Sequence, residues 1–275
     1  MMLYGLPALF ALFVWWFSTG AIIYLDGLPP RSFRWSLLGA TVMLAGALHG
    51  LVAGRADLSA AGAYGAFTCG LLVWAWQEMT FLMGAITGPR RIPAEPQAPP
   101  SRHFIQSVQV VLYHELAILA GGAAIAALTW QAPNRIGLFT YCVLWAMRTS
   151  AKLNLFLGVR NLSIELLPPH LRYLGGYLRR RPMNALLPVS VVLGTLATVL
   201  LARHAAAAGG AGFQATGFTC LAAMMALAVL EHGFLVVPLP INTIWAWGLR
   251  SHANAAVIKP ARPIGGENEL RSVLP

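Results

Sequence analysis

The sequence predicts an all-α fold: a polytopic transmembrane helix bundle of about seven spans, N-terminus outside and C-terminus cytoplasmic. Three observations predict it. First, 57% of the 275 residues are hydrophobic and only 10% are charged, with a mean hydropathy of +0.65, whereas a soluble domain carries roughly 25% charged residues. Second, the apolar residues gather into seven runs, near 3–25, 35–54, 63–86, 105–128, 136–158, 184–206 and 216–238. Each run is long enough to cross a hydrocarbon core at about 1.5 Å per residue, and none shows the alternating pattern of a membrane barrel. Third, the basic residues alternate between loops. Arg31, Arg34, Arg90, Arg91, Arg102, Arg160, Arg172, Arg179, Arg180, Arg181, Arg250, Lys259, Arg262 and Arg271 fall on one predicted side, and only Arg55, Arg135 and Arg203 on the other. Fourteen against three gives the orientation by the positive-inside rule. The formal charge of +10 is therefore a topology signal and an attraction to anionic membrane lipids, not a nucleic-acid footprint.

The first run has no basic residue before it and no small-residue cleavage site after it, so it reads as a span rather than a signal peptide. The second carries Gly46, Gly50 and Gly54 at four-residue spacing, a face suited to close helix packing. His49, in its outer half, reads as a packing or hydrogen-bonding histidine. Cys69, Cys142 and Cys220 fall inside runs with no CxxC pair, and read as buried packing thiols. The loop 87–104 is proline-rich and extended. The loop 159–183 contains "LPPHLRYLGGYLRRRP", where Leu171, Leu174 and Leu178 recur at helical spacing among arginines. It is either a short interfacial helix on the headgroups or a basic loop that fixes topology. Trp245 and Trp247 read as interfacial anchors. Residues 1–250 form a single transmembrane domain, and 251–275 a flexible cytoplasmic tail.

The fifth run, "LWAMRTSAKLNLFLGV" at its end, holds two full cations, Arg148 and Lys152, four residues apart. Stopping the span before Arg148 would leave about twelve residues, too few to cross. On insertion scales each cation costs about 2.5–3.5 kcal/mol at mid-membrane. Only nine acids exist in the chain, and three lie in other runs: Glu78, Glu115 and Glu231. Counted from the predicted span ends, all five groups fall on one side, about 9–16 Å deep by helix rise. Four helices thus contribute to one polar layer, joined by Asn154, His114 and His232. Three uses remain open for that layer. It is a structural ion-pair network; or His114 and His232 ligate a metal or the central metal of a tetrapyrrole; or the acids and histidines form a di-metal site, for which the Glu-x-x-His spacing is missing.

The strings "WQEMTFLMGAITGPRR", "LYHELAI", "LWAMRTSAKLNLFLGVRNLSIELLPPHLRYLGGYLRRRPMNALLPVS" and "LEHGFLVVPLP" resemble the photosynthetic complex assembly proteins of the PuhE type. The likeness begins near "FSTGAIIYLDGLP" and runs to about residue 240. It implies a factor of the bacterial inner, intracytoplasmic photosynthetic membrane that supports assembly of the reaction centre and core antenna and influences bacteriochlorophyll supply. The partners it implies are reaction-centre or core antenna subunits or other assembly factors. The cofactor would be bacteriochlorophyll or a related tetrapyrrole. The alternative is an intramembrane metal- or tetrapyrrole-dependent enzyme of pigment metabolism. The resemblance carries no catalytic residues.

Overall fold

The computed structural model describes residues 2–210, 212–237 and 243–252. Within them lie seven α-helices: α1 (Met2–Asp26), α2 (Phe33–Ala53), α3 (Ala60–Leu82), α4 (Pro100–Leu128), α5 (Ile136–Leu157), α6 (Leu186–Ala207) and α7 (Phe213–Phe234). No strand occurs among the described residues, only an isolated bridge between Val159 and Arg180. Five helices (α1, α2, α4, α6, α7) are long and apolar enough to cross a membrane. The other two, α3 and α5, carry Gln77 and Glu78, and Arg148, Lys152 and Asn154.

Their polarity is explained by position. Helix α3 is central: each of four apolar clusters includes it, through Phe67, Trp74, Phe81 and Met79. Fourteen of its 23 residues are buried, so its polar side chains meet other helices rather than lipid and need not be apolar. Helices α3 and α5 approach closely where glycine faces glycine. A Cβ on Gly70 would collide with the Gly137 backbone, and one on Gly137 with Leu51 and the Ala66 carbonyl. The glycine stripe of α2 contributes less than its spacing suggests. Only Gly50 closes on α3, against Cys69; Gly46 faces open space and Gly54 is the C-cap. Ala40, Ala47 and Leu51 form the buried face instead.

Helix ends gather on two faces. On one, Asn134 donates to the carbonyls of Gly54, Asp57 and Gly62 (3.3, 3.1 and 3.1 Å), tying the start of α5 to the α2–α3 turn. On the other, Asn161 donates to Phe234 O and Val237 O, and Asn184 to Asn154 O and Gly158 O. Asn184 Oδ1 also accepts from the amides of Leu186 and Leu187, capping α6. His170 bonds Leu82 O at 2.8 Å.

Several expected boundaries move. Helix α3 stops at Leu82 rather than near 86, because Gly84 takes φ +75° and Thr80 O accepts from the amides of Ala85 and Ile86, a glycine-type C-terminal stop. Helix α7 ends at Phe234, short of 238, under the Asn161 cap. Helix α4 begins at Pro100, since proline suits the first helical turn. The segment 169–177 forms a 3₁₀ helix, Pro169–Tyr177. Its Leu171, Leu174 and Tyr177 pack on Phe81 and Val110, so this apolar edge meets protein, not headgroups.

Three further expectations are corrected. Cys142 is exposed, although Cys220 is buried and Cys69 half-buried; all three are free. His49 is exposed on the outer side of α2, about 200° around the helix from buried Ala47, and makes no hydrogen bond among the described residues. Trp245 and Trp247 pack on α1 instead of anchoring at an interface. Trp245 is 5% exposed; its indole donates to Trp16 O at 3.1 Å, while the Trp16 indole donates to Ile244 O at 3.0 Å. Trp247 stacks on Phe17 over Gly20, where a Cβ would overlap its ring. Residues 243–252 thus run along the last three turns of α1 to the pair His252–Asp26 at 2.8 Å. Non-helical backbone is tolerated there because α1 packs against it and the Trp16 indole satisfies the Ile244 carbonyl. Ser251 and His252, assigned to the tail by sequence, belong to this docked segment; the rest of 251–275 lies outside the described residues.

Candidate functional site

The charged side chains of the layer are held by helix spacing. Arg148 and Lys152, four apart on α5, project from one side of it. Arg148 donates to Glu78 Oε2 of α3 at 3.0 Å. Lys152 donates to Glu115 of α4. The two pairs differ in shielding: the Glu78 side chain is 11% exposed and Arg148 41%, against 30% and 26% for Glu115 and Lys152. They form two rungs that fasten α5 to α3 and then to α4. An unpaired charge in this setting would be costly, which is why the carboxylates and cations occur together.

Glu231 stands apart. Its Oε1 accepts from the indole of Trp15 on α1 at 2.8 Å, and no cation lies within 4 Å of it among the described residues. It is exposed, although it sits on the α7 side that buries Met224. Trp15 gives no sequence signal of this role; an aromatic in a span is ordinary. With α3 and α7 ending early, Glu78 and Glu231 lie four and three residues from their helix ends, about 6 and 5 Å by helix rise, nearer the ends than the sequence estimate.

Asn154 and His232 belong to a second, neutral network. Asn154 is fully buried and donates to Ser150 O and Ser190 Oγ at 2.9 and 3.1 Å. Ser150 Oγ lies 2.9 Å from both Ser190 Oγ and His232 Nε2, and His232 Nδ1 is 2.8 Å from Ala228 O. A carbonyl can only accept, so Nδ1 carries a proton, and in the neutral ring Nε2 accepts from Ser150. The chain Asn154–Ser190–Ser150–His232 links α5, α6 and α7. Ser150 and Ser190 were not singled out by sequence, since serine tolerates any helix face.

His114 lies elsewhere, on α4. It is 1% exposed, its ring centroid 4.4 Å from that of Phe81, and its Nδ1 has no partner. Its amide bonds Thr87 O at 2.9 Å, because the loop after α3 presses into α4 where Gly88 meets the Gln109 and Val110 backbone with no room for a Cβ.

These positions bear on cofactors. Both His232 ring nitrogens are engaged, and the carboxylates are held by a cation or an indole. No group of three or more His, Cys, Asp or Glu among the described residues is arranged to hold a metal ion. The donor set does not fit a di-metal centre. Of the two histidines expected to ligate a tetrapyrrole metal, His114 keeps a ring nitrogen without a partner, and Phe81 lies against that ring.

The fold and site define a multi-pass membrane protein that is helical throughout its described residues, in which Arg148 and Lys152 pair with carboxylates of other helices. The chain belongs to the family described as "Protein of unknown function (DUF3623)", which matches residues 1–256. It is also similar to the "Uncharacterized 30.4 kDa protein in puhA 5'region" of Rhodobacter capsulatus, with 38% identity over 265 residues, covering 95% of this chain and 96% of that protein. No solved structure matches it.

Proposed function

We propose that this protein is a membrane-embedded assembly factor for the bacterial photosynthetic reaction centre and core antenna, acting where bacteriochlorophyll is supplied to them. It crosses the inner, intracytoplasmic photosynthetic membrane seven times, with the N-terminus outside and the C-terminus cytoplasmic. The observation that carries the reading is the pairing of charges within the bundle beneath broad apolar outer faces. Arg148–Glu78 and Lys152–Glu115 fix helices instead of converging on a reaction centre of their own. Meanwhile Leu6, Leu9 and Phe13 of α1, Leu38 and Val42 of α2, and Val192 of α6 remain exposed for lipid or partner helices. The topology is supported by the gathering of Arg31, Arg90, Arg160 and Arg179 on the face where α1, α3, α5 and α7 end. The photosynthetic setting is supported by the family resemblance and by the relative named for the puhA 5' region.

The test is purification of the tagged protein in mild detergent from photosynthetically grown cells. Reaction-centre or core antenna subunits are expected to co-purify, and deletion of the gene is expected to lower both complexes. A preparation free of those subunits, with unchanged complexes in the deletion strain, overturns the reading. The second reading, a tetrapyrrole-dependent enzyme, is favoured by the buried, partnerless Nδ1 of His114. It requires a stoichiometric pigment in the optical spectrum that His114→Ala removes.

A further inference from the structure

Helix α5 ends in a basic strap. Gly158 takes φ +119° and turns the chain so that Val159 pairs in parallel with residues 179–181. The Val159 amide donates to Arg179 O and the Arg181 amide to Val159 O, both at 3.1 Å. The Arg179 amide donates to Leu155 O at 3.2 Å, and Asn184 donates to the carbonyls of Asn154 and Gly158. These bonds satisfy carbonyls that a helix C-terminus leaves open, and they seat the strap on the helix end.

In an extended segment, residues two apart face the same side, about 7 Å from each other. Arg179 and Arg181 do so. The Arg179 guanidinium lies 5.5 Å from the centre of the Phe156 ring, and the Arg181 stem lies over Gly158, where a Cβ would strike it. Arg160 and Arg180 are exposed beside them. No carboxylate lies within 4 Å of these four arginines among the described residues; at this end of the bundle Glu95 is taken by Arg90 and Arg102, and Asp26 by His252.

Below the arginines the wall is apolar and open. Phe104, in the second turn of α4, packs edge-on against Phe156 at 5.8 Å and is 52% exposed. Leu153 and Leu157, one turn apart on α5, are exposed as well. Helix α4 has 29 residues, about 43 Å by helix rise, which exceeds a hydrocarbon core of about 30 Å; its ends therefore reach headgroup depth. Unpaired guanidiniums above exposed apolar side chains match an amphiphile with an anionic head. Arginine forks take phosphate through paired N–H donors, and basic surfaces at membrane level favour anionic headgroups.

We propose that this end of α5 is a binding site for one anionic phospholipid, its phosphodiester held by Arg179 and Arg181 and an acyl chain lying along Phe104, Leu153 and Leu157. It is a fixed site, distinct from the general attraction of a basic face, and it does not require the assembly role.

The test counts lipid retained by the full chain in mild detergent, by native mass spectrometry, with phosphatidylglycerol and phosphatidylcholine of equal chain length as probes. One phosphatidylglycerol is expected to be retained, at about tenfold lower lipid concentration than phosphatidylcholine. Arg179→Gln with Arg181→Gln is expected to abolish that preference. Arg31→Gln with Arg34→Gln removes the same charge from exposed positions elsewhere on that face and is expected to leave it unchanged. Glycerol phosphate, the same head without acyl chains, is expected not to compete. If the first glutamine pair loses its cooperative melting transition, Arg179→Lys with Arg181→Lys keeps the charge and removes the forks; retention is then expected to weaken about threefold or more. No retained lipid, equal retention of both lipids, equal losses from both glutamine pairs, an unweakened lysine pair, or displacement by glycerol phosphate overturns the proposal.

Discussion

Replacing Arg148 by methionine removes a cation and leaves the carboxylate of Glu78, whose side chain is 11% exposed, without its partner at 3.0 Å. Breaking a buried ion pair from one side costs about 3–5 kcal/mol. Arg148 is 41% exposed, so protein does not fully enclose the pair, and the low end, about 3 kcal/mol, applies. The reverse change, Glu78→Met, strands a half-exposed arginine that still feels Glu231, and costs about 1 kcal/mol. The double variant replaces both ions by apolar groups of similar size, which is often close to neutral; about 1.5 kcal/mol allows for imperfect packing. The predicted coupling is therefore about 2.5 kcal/mol. The assay is equilibrium unfolding in mixed micelles of the wild type, both single variants and the double. The same cycle on Lys152–Glu115, where both partners are more than a quarter exposed, should give about 1 kcal/mol or less. Additivity within about 0.5 kcal/mol at Arg148 and Glu78, or a stronger coupling at Lys152 and Glu115, refutes the reasoning.

Other expectations follow from the packing. Gly137→Ala forces a methyl group against Leu51 and the Ala66 carbonyl and should cost about 1–3 kcal/mol, read as a lower melting temperature in detergent. Asn134→Ala removes three donations to carbonyls on the α2–α3 turn and should cost about 1–3 kcal/mol, with faster hydrogen exchange confined to residues 54–62 and 134–136. The hydrogen bond that His252 donates to the Asp26 carboxylate holds the imidazole pKa above its ordinary value. A raised histidine stabilises fully below its ordinary value, about 6.5, and loses that contribution as pH rises through the folded value. Protection in residues 243–252, measured against the intrinsic exchange rate at each pH, should therefore fall as pH rises above about 6.5, and His252→Gln should flatten that fall; unchanged protection would show that the pair does not hold the segment.

Some of this was legible along the chain. Helix and membrane were readable because hydropathy is local: α1, α2, α4, α6 and α7 announce themselves by their own composition. The polar layer was readable as a set of residues, since a charge in an apolar run is conspicuous wherever it points. The early stop of α3 was hidden because it depends on one left-handed glycine, Gly84, within a run that stays apolar. Trp245 and Trp247 misled, since a tryptophan near a span end looks the same whether it meets lipid or α1. Ser150, Ser190 and Asn184 gave no usable signal; their roles come from atoms contributed by other helices.

What the sequence determined by itself was the solvent of each segment, because transfer between water and hydrocarbon is decided residue by residue. What only the tertiary structure decided was partnership. Arg148 could have met any of three carboxylates, and it meets Glu78 because α3 occupies the centre, where Gly70 and Gly137 let α5 come close. Lys152 then meets Glu115 one turn on, and Glu231 is left to the Trp15 indole. Pairing depends on azimuth and neighbour identity, and both are properties of packed helices, not of any one stretch of chain.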